Sequence, residues 1–218
     1  MTEVTRIPSV LSYNREYKDT LFRMIFSDKE NLLSLYNAMN GTDYKNAEEL
    51  EIVTLENAIY MGMKNDVAFL LCDELHLYEH QSTRNPNMPL RALFYIAREY
   101  EKFIGGKLNR KGTIYSSRLI KLPAPRFVVF YNGTAQEAEK STLCLSDAYV
   151  KTEEKPKLEL VVDVLNINYG MNREIMERCK MLSDYAKYVE RVRKYDTILP
   201  TEEAVERAIK ECIDEDIL

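Results

Sequence analysis

The stretch Asn65-Asp66-Val67-Ala68-Phe69-Leu70-Leu71-Cys72-Asp73-Glu74-Leu75-His76-Leu77-Tyr78-Glu79-His80-Gln81-Ser82 decides the fold. Two apolar runs flank a short polar turn at Asp73-Glu74, the pattern of a β-hairpin with a buried centre. Asp66 opens the first strand and Glu79 closes the second. Pairing folds the chain back, so both carboxylates fall at one end of the ribbon. Side chains alternate faces along a strand, so Glu79 and Gln81 point one way and His80 the other. The spacing thus predicts two acids and an amide converging at one edge of a sheet. Glu79 lies in an otherwise apolar strand, where an unpaired carboxylate is costly to bury. His76 and His80 are about 13 Å apart end to end on an extended strand, too far to share a zinc ion.

On the N-terminal side, residues 1–13 read as an irregular lead-in. A helix is expected from near Tyr17, with Asp19, Phe22 and Phe26 on one face. Ser27-Asp28-Lys29-Glu30 has the form of a capping box and predicts a second helix, which Asn40-Gly41 ends. Residues 51–60 read as a first strand before the hairpin. On the C-terminal side, a helix runs from Pro89 to about Ile104 and stops at Gly105-Gly106. Its apolar face is read as Leu90, Phe94, Ala97 and Phe103, with Arg91 and Tyr95 one turn apart beside it. Lys107, Arg110, Lys111, Arg118, Lys121 and Arg126 follow in a segment free of acids. Phe127–Tyr131 is a buried strand ending in a turn at Asn132-Gly133. An acidic loop (136–140) precedes a further strand from Leu158 to Leu165. Residues 171–195 place Ile175, Cys179, Leu182, Ala186 and Val189 on one helical stripe, and Pro200-Thr201 starts a last, acidic helix. The expected organisation is an α/β core over residues 1–168 with a helical region, 169–218, packed on it.

The 218 residues suffice for one sizeable domain with a helical appendage. Apolar residues at 45% and charged residues at 30% are ordinary for a globular protein. No apolar run is long enough to cross a bilayer, and the start of the chain lacks a signal-peptide pattern. Cys72, Cys144, Cys179 and Cys212 show no paired spacing, so reduced thiols in a cytoplasm are expected rather than disulfides or a zinc site. A net charge of −5 argues against coating nucleic acid through bulk charge, and leaves room for a local basic groove.

The order helix, three-strand meander, helix, strand, with an Asp on the second strand and an acid-x-amide on the third, resembles the PD-(D/E)xK nuclease fold. Within it the chain resembles the Rpn group of recombination-promoting nucleases, also labelled transposases. The residues that carry the likeness are Asp19 with Leu21-Phe22-Arg23, Asn65-Asp66, Tyr78-Glu79-His80-Gln81-Ser82, and Arg91 with Tyr95. Phe130-Tyr131-Asn132-Gly133 and Asn166-Ile167-Asn168-Tyr169-Gly170 complete the set. The resemblance spans roughly residues 15–215 and implies an αβββαβ core, a mixed sheet flanked by helices, with C-terminal helices after it. It implies a divalent-metal-dependent DNA endonuclease linked to recombination or mobile elements. Members of this group continue past the point where this chain stops, so a short or trimmed version is expected.

The chemistry has its own argument. Cleaving a phosphodiester needs a nucleophilic water and stabilisation of phosphoryl charge, and Mg²⁺ or Mn²⁺ held by one or two carboxylates supplies both. Asp66 and Glu79 are the expected metal ligands, with the backbone carbonyl of His80 as an extra oxygen. Asp19 resembles the helix acid that orients a metal-bound water in related folds. Gln81 stands where many relatives carry lysine; it positions water by hydrogen bonds without titrating or carrying charge. Lys64 and Lys102 are alternatives for assisting the nucleophile. Arg91, Tyr95, Lys107, Arg110, Lys111 and Arg118 are the candidates for DNA contacts. Asp19 is equally a first-turn helix acid favoured by the macrodipole, and Arg91 and Tyr95 equally cap the sheet edge. The competing expectation is a catalytically weak nuclease-fold module that binds DNA or a protein partner, with Gln81 as the symptom. A homo-oligomer through the 171–195 stripe is a third.

Overall fold

Val67–Leu71 (β2) and Glu74–Gln81 (β3) pair antiparallel, with Val67 opposite Tyr78 and Leu71 opposite Glu74. The structure, a computed structural model, describes residues 17–53, 66–105 and 113–217. The turn sits one residue earlier than Asp73-Glu74: Cys72 and Asp73 have φ of 51° and 60°, the doubly left-handed form of a two-residue hairpin loop. Glu51–Ile52 (β1) adds antiparallel to β2 and completes the meander. The rest of the strand expected over 51–60 lies largely outside the described residues, as do the 1–13 lead-in, Lys64, Asn65, Gly106, Lys107, Arg110 and Lys111.

Tyr17–Ser27 (α1) and Lys29–Asn40 (α2) stand where helical periodicity puts them. The cap of α2 is Asp28, whose carboxylate accepts the Asn31 N–H at 3.0 Å. Ser27 does not form the expected capping box; its hydroxyl turns back to the Arg23 carbonyl. Gly41, at φ 68°, ends α2 in the left-handed conformation. Met88–Gly105 (α3) is the crossover that makes Ala124–Tyr131 (β4) parallel to β3. Lys140–Cys144 (β5) and Val161–Asn166 (β6) finish a six-stranded mixed sheet in the order β1-β2-β3-β4-β6-β5, with β3, β4 and β6 parallel. The last strand starts later than Leu158, because the Leu158 carbonyl is taken by the Tyr149 hydroxyl at 2.6 Å. The loop expected at 136–140 is a loop as far as Glu139 and leads into a short edge strand, β5, that the sequence reading did not mark.

Helices flank both faces of the sheet. On one, α3 packs on Ala68, Leu75, Leu77, Val129 and Tyr131. Its buried stripe is Met88, Ala92, Tyr95, Ile96 and Glu99, while Leu90, Phe94 and Ala97 face outward, opposite to the sequence expectation. The inward stripe is the one that packs on the sheet's apolar residues, and Arg91 on its flank pairs with Glu79. On the other face, α1 and α2 join Arg173–Arg178 (α4), Lys180–Asp196 (α5) and Thr201–Asp214 (α6) over Phe69, Tyr78, Phe130 and Leu165. The single helix expected over 171–195 is broken at Cys179, an extended residue between α4 and α5. The stripe of Ile175, Cys179, Leu182, Ala186 and Val189 is buried within the chain itself rather than offered to a second copy. Among the described residues no helix is long and apolar enough to cross a membrane.

Candidate active site at the open end of the hairpin

The hairpin register sets Asp66, the residue before β2, across from Glu79. The His80 backbone N–H donates to Oδ2 of Asp66 at 2.7 Å. Backbone polar groups alternate edges along a strand. The Gln81 carbonyl turns to β4, where it accepts from the Asn132 N–H at 2.8 Å. The His80 carbonyl therefore turns to the opposite edge, the one that carries Asp66. Sequence reasoning brought Asp66, Glu79 and the Gln81 amide to one sheet edge; the two acids stand across from each other there, while the Gln81 amide turns away to the Met88 sulfur. The site stands at the C-terminal end of the parallel strands, where open α/β sheets leave room for ligands.

Burial governs the electrostatics. The Glu79 carboxyl is pushed up to about 8, first by burial and then by the negative charge of Asp66, against the pull of Arg91. Burial also lifts Asp66, with the His80 amide and Arg23 opposing. Arg91 of α3 donates to Oε1 of Glu79 and, at 2.8 Å, to the Tyr95 hydroxyl. The Nε of Arg23 in α1 is 3.6 Å from Oδ1 of Asp66. Two acids and two arginines thus share the end of the ribbon, and Oε2 of Glu79 is buried without a hydrogen-bond partner.

Asp19 comes to the same end by the opposite face. Its Oδ1 is 2.5 Å from Nδ1 of His80, and its charge acts on Asp66. The His80 ring is buried, and its Nε2 meets the Tyr185 hydroxyl of α5 at 2.8 Å. The His80 side chain is thus a positioning group that joins the helix acid to the strand. Sequence alternation put it on that face and gave no sign of its partners, which are 61 and 105 residues away. Arg23, one turn past Asp19, is a second residue that sequence reasoning left without a role.

Gln81 lies on the Glu79 face, but its side-chain amide is turned to the Met88 sulfur and buried. Lys102 pairs with Glu99 at 3.3 Å. It lies about 16 Å along α3 from Arg91, at the helical rise of 1.5 Å per residue. Arg118 is exposed and its N–H contacts the Ser116 hydroxyl. Arg126 binds Glu74 at the turn end of the hairpin, far from Glu79. The Asn132-Gly133 and Asn166–Asn168 segments form an interlocked amide network. Arg193 donates to Asn168 Oδ1 (2.6 Å), to the Asn132 carbonyl (2.5 Å) and to Asn132 Oδ1 (2.8 Å), tying α5 to the strand ends beside the site.

Among the described residues no group of three or more His, Cys, Asp or Glu is placed to hold a metal ion. Mg²⁺ asks for less: one or two carboxylates, with waters filling the remaining positions. Asp66 and Glu79 are hard oxygen donors of that kind, Oε2 of Glu79 has no hydrogen-bond partner, and a cation between them would offset the burial that lifts both groups and the Asp66 charge that lifts Glu79. The donor set fits a small divalent cation. Comparisons of the chain with protein-family models, with curated proteins and with solved structures return no match.

Proposed function

We propose that the chain is a divalent-metal-dependent DNA endonuclease with a PD-(D/E)xK-type αβββαβ core, akin to the Rpn nucleases. The observation that carries this reading is the pairing of Asp66 with Glu79, a half-buried and a buried acid, both lifted by loss of water and, for Glu79, by its neighbour's charge. Uncompensated, that arrangement is costly; a cation site makes it useful. The helix–meander–crossover–parallel strand order supports the core assignment.

Asp66 and Glu79 would hold Mg²⁺ or Mn²⁺, with the His80 carbonyl beside them. When bound, the ion supplies an activated water and neutralises phosphoryl charge. The chain's own groups do the rest. The His80 N–H fixes Asp66, and the His80 ring fixes Asp19, whose side chain is 39% exposed and available to a water at the site. Arg91, bonded to Glu79 in the free protein, has a planar fork suited to a phosphate oxygen once Glu79 is taken by the cation. The preference for DNA over RNA comes from the family resemblance alone.

A second reading has its own support. The Gln81 amide is engaged with Met88 and not with the acids. That favours a module that grips nucleic acid or a protein partner and cleaves weakly. Supercoiled-plasmid nicking with Mg²⁺, Mn²⁺ or EDTA, alongside Asp66→Ala and Glu79→Ala, separates the two. Metal-dependent nicking that both variants lose supports the nuclease. DNA binding without nicking supports the module.

A further inference from the structure

The strand β5 stands at one end of the sheet and pairs with β6 alone. Two hydrogen bonds bracket it and fix which way its backbone turns. The Glu139 carbonyl accepts from the Asn166 N–H at 2.9 Å, and the Leu145 N–H donates to the Leu160 carbonyl at 2.9 Å. Hydrogen-bonding direction alternates along an antiparallel strand. Ser141 and Leu143 therefore turn their N–H and C=O to β6, while Lys140, Thr142 and Cys144 turn theirs outward. The Cys144 N–H agrees with this, because it reaches Oδ2 of Asp147, at 3.4 Å, in the turn that follows the strand. Among the described residues no further strand pairs with this edge, and Lys140 and Thr142 are exposed.

An open edge is a template for another strand, and proteins commonly guard one with a lysine. Here the charge has a direction. Lys140 supplies a positive charge at one end. At the other end Asp147 lies on the outward side of Cys144, beside its N–H. Burial first, then the charges of Glu159 and Asp147, push the Cys144 thiol up, so both acids lie close to that end. An edge that is basic at one end and acidic at the other is complementary to itself when turned end for end. An extended peptide of arbitrary sequence has no such match, and a second copy of this chain has it by construction.

We propose that two copies of this chain pair through β5, antiparallel, with the two-fold axis at Thr142. Thr142 then exchanges both backbone hydrogen bonds with Thr142 of the second copy, and the two small side chains meet as a cross-strand pair. Lys140 comes opposite Cys144 of the second copy, with its ammonium toward the acids there. Pairing uses up the edge, so assembly closes at two copies. Antiparallel pairing sends the acid-bearing ends of the two sheets in opposite directions, so each Asp66–Glu79 pair stays within one chain. The dimer stands or falls independently of the nuclease reading.

The contact is short, so the dimer is a weak one, with a dissociation constant in the micromolar range or above. Sedimentation velocity of the parent from micromolar to millimolar concentration should show a reversible monomer–dimer equilibrium. Thr142→Pro removes one outward N–H and leaves the bonds to β6 in place, as proline on an edge strand does. It should keep the parent's circular dichroism and stay monomeric throughout. Lys140→Glu sets acid against acid and should weaken the dimer about three- to tenfold. Adding Asp147→Lys to that variant reverses both ends of the edge and should restore the affinity, which no separate effect of either residue on folding would do. A parent that is monomeric at millimolar concentration overturns the proposal. So does a Thr142→Pro chain that dimerises as tightly as the parent, or a charge exchange that recovers nothing of what Lys140→Glu lost.

Discussion

The amide of His80 and the carboxylate of Asp66 are joined by a 2.7 Å hydrogen bond at the mouth of the hairpin. The bond fixes one oxygen of Asp66 and leaves the other toward Arg23. Asn in place of Asp66 keeps an oxygen to accept the His80 N–H but removes the charge that would hold the proposed cation. Asp66→Asn is therefore expected to fold with near-parent circular dichroism and melting temperature, and to lose metal-dependent plasmid nicking by about a hundredfold or more. Parent-like nicking by this variant would remove Asp66 from the site.

Glu79 gives the pH dependence. Its folded carboxyl is raised to about 8 from an ordinary value of 4.5, so the folded state holds the proton more tightly than the unfolded state. The stability this contributes is full below 4.5 and is lost as the pH rises through about 8. In EDTA the melting temperature should fall across that window, and Glu79→Gln, which cannot ionise, should flatten the fall. Mg²⁺ should raise the parent's melting temperature more at the alkaline end than at the acidic end, and do little for Glu79→Gln. A parent whose melting is pH-independent across this window would show that Glu79 is already ionised and satisfied.

The hairpin and its acids were legible because a strand's two-residue period is written directly in the chain, and a carboxylate among apolar neighbours stands out. The helices of the N-terminal half were legible through helical spacing and the Asn40-Gly41 stop, although the cap is Asp28 and not Ser27. Three features were not. The strand Lys140–Cys144 is short, polar and paired on one side only, so its identity comes from β6 and not from its own residues. The buried face of α3 is chosen by what it meets; Glu99 is inside and Phe94 outside, which no apolar count predicts. The role of the His80 ring depends on Asp19 and Tyr185, which only the tertiary fold brings to it.

Tyr185 offers a test of that last link. Its hydroxyl meets Nε2 of His80 at 2.8 Å and the Lys18 carbonyl at 3.3 Å, all in a buried setting. Tyr185→Phe leaves the ring packing against Phe22 in place and strips the hydroxyl alone. Leaving a buried nitrogen without its partner costs about 1–3 kcal/mol, read as a lower midpoint in urea. With His80 less firmly held, Asp19 loses its fixed position, so nicking should slow while DNA affinity is kept. A variant as stable as the parent would mean that water replaces the hydroxyl and that the Asp19–His80 pair needs no support from α5.

Gly133 tests how tightly the strand ends are drawn together at the site. A Cβ there would lie 2.2 Å from the Tyr131 hydroxyl oxygen, 2.4 Å from that ring's Cζ and 2.6 Å from the Ser82 carbonyl oxygen. The Tyr131 ring is locked in the core under α3, and the Ser82 oxygen is backbone immediately after Gln81. Neither yields cheaply, so Gly133→Ala should cost about 2–4 kcal/mol, in the range of an overpacked core substitution. Tyr131→Phe in the same chain removes the nearest oxygen but neither Cζ nor the Ser82 carbonyl, so it should restore only part of the loss. Full restoration would place the conflict at the phenol alone. Partial restoration, with nicking still impaired, would show that the loop after β4 presses on the end of β3 and that the alanine shifts the strand carrying Glu79 and Gln81.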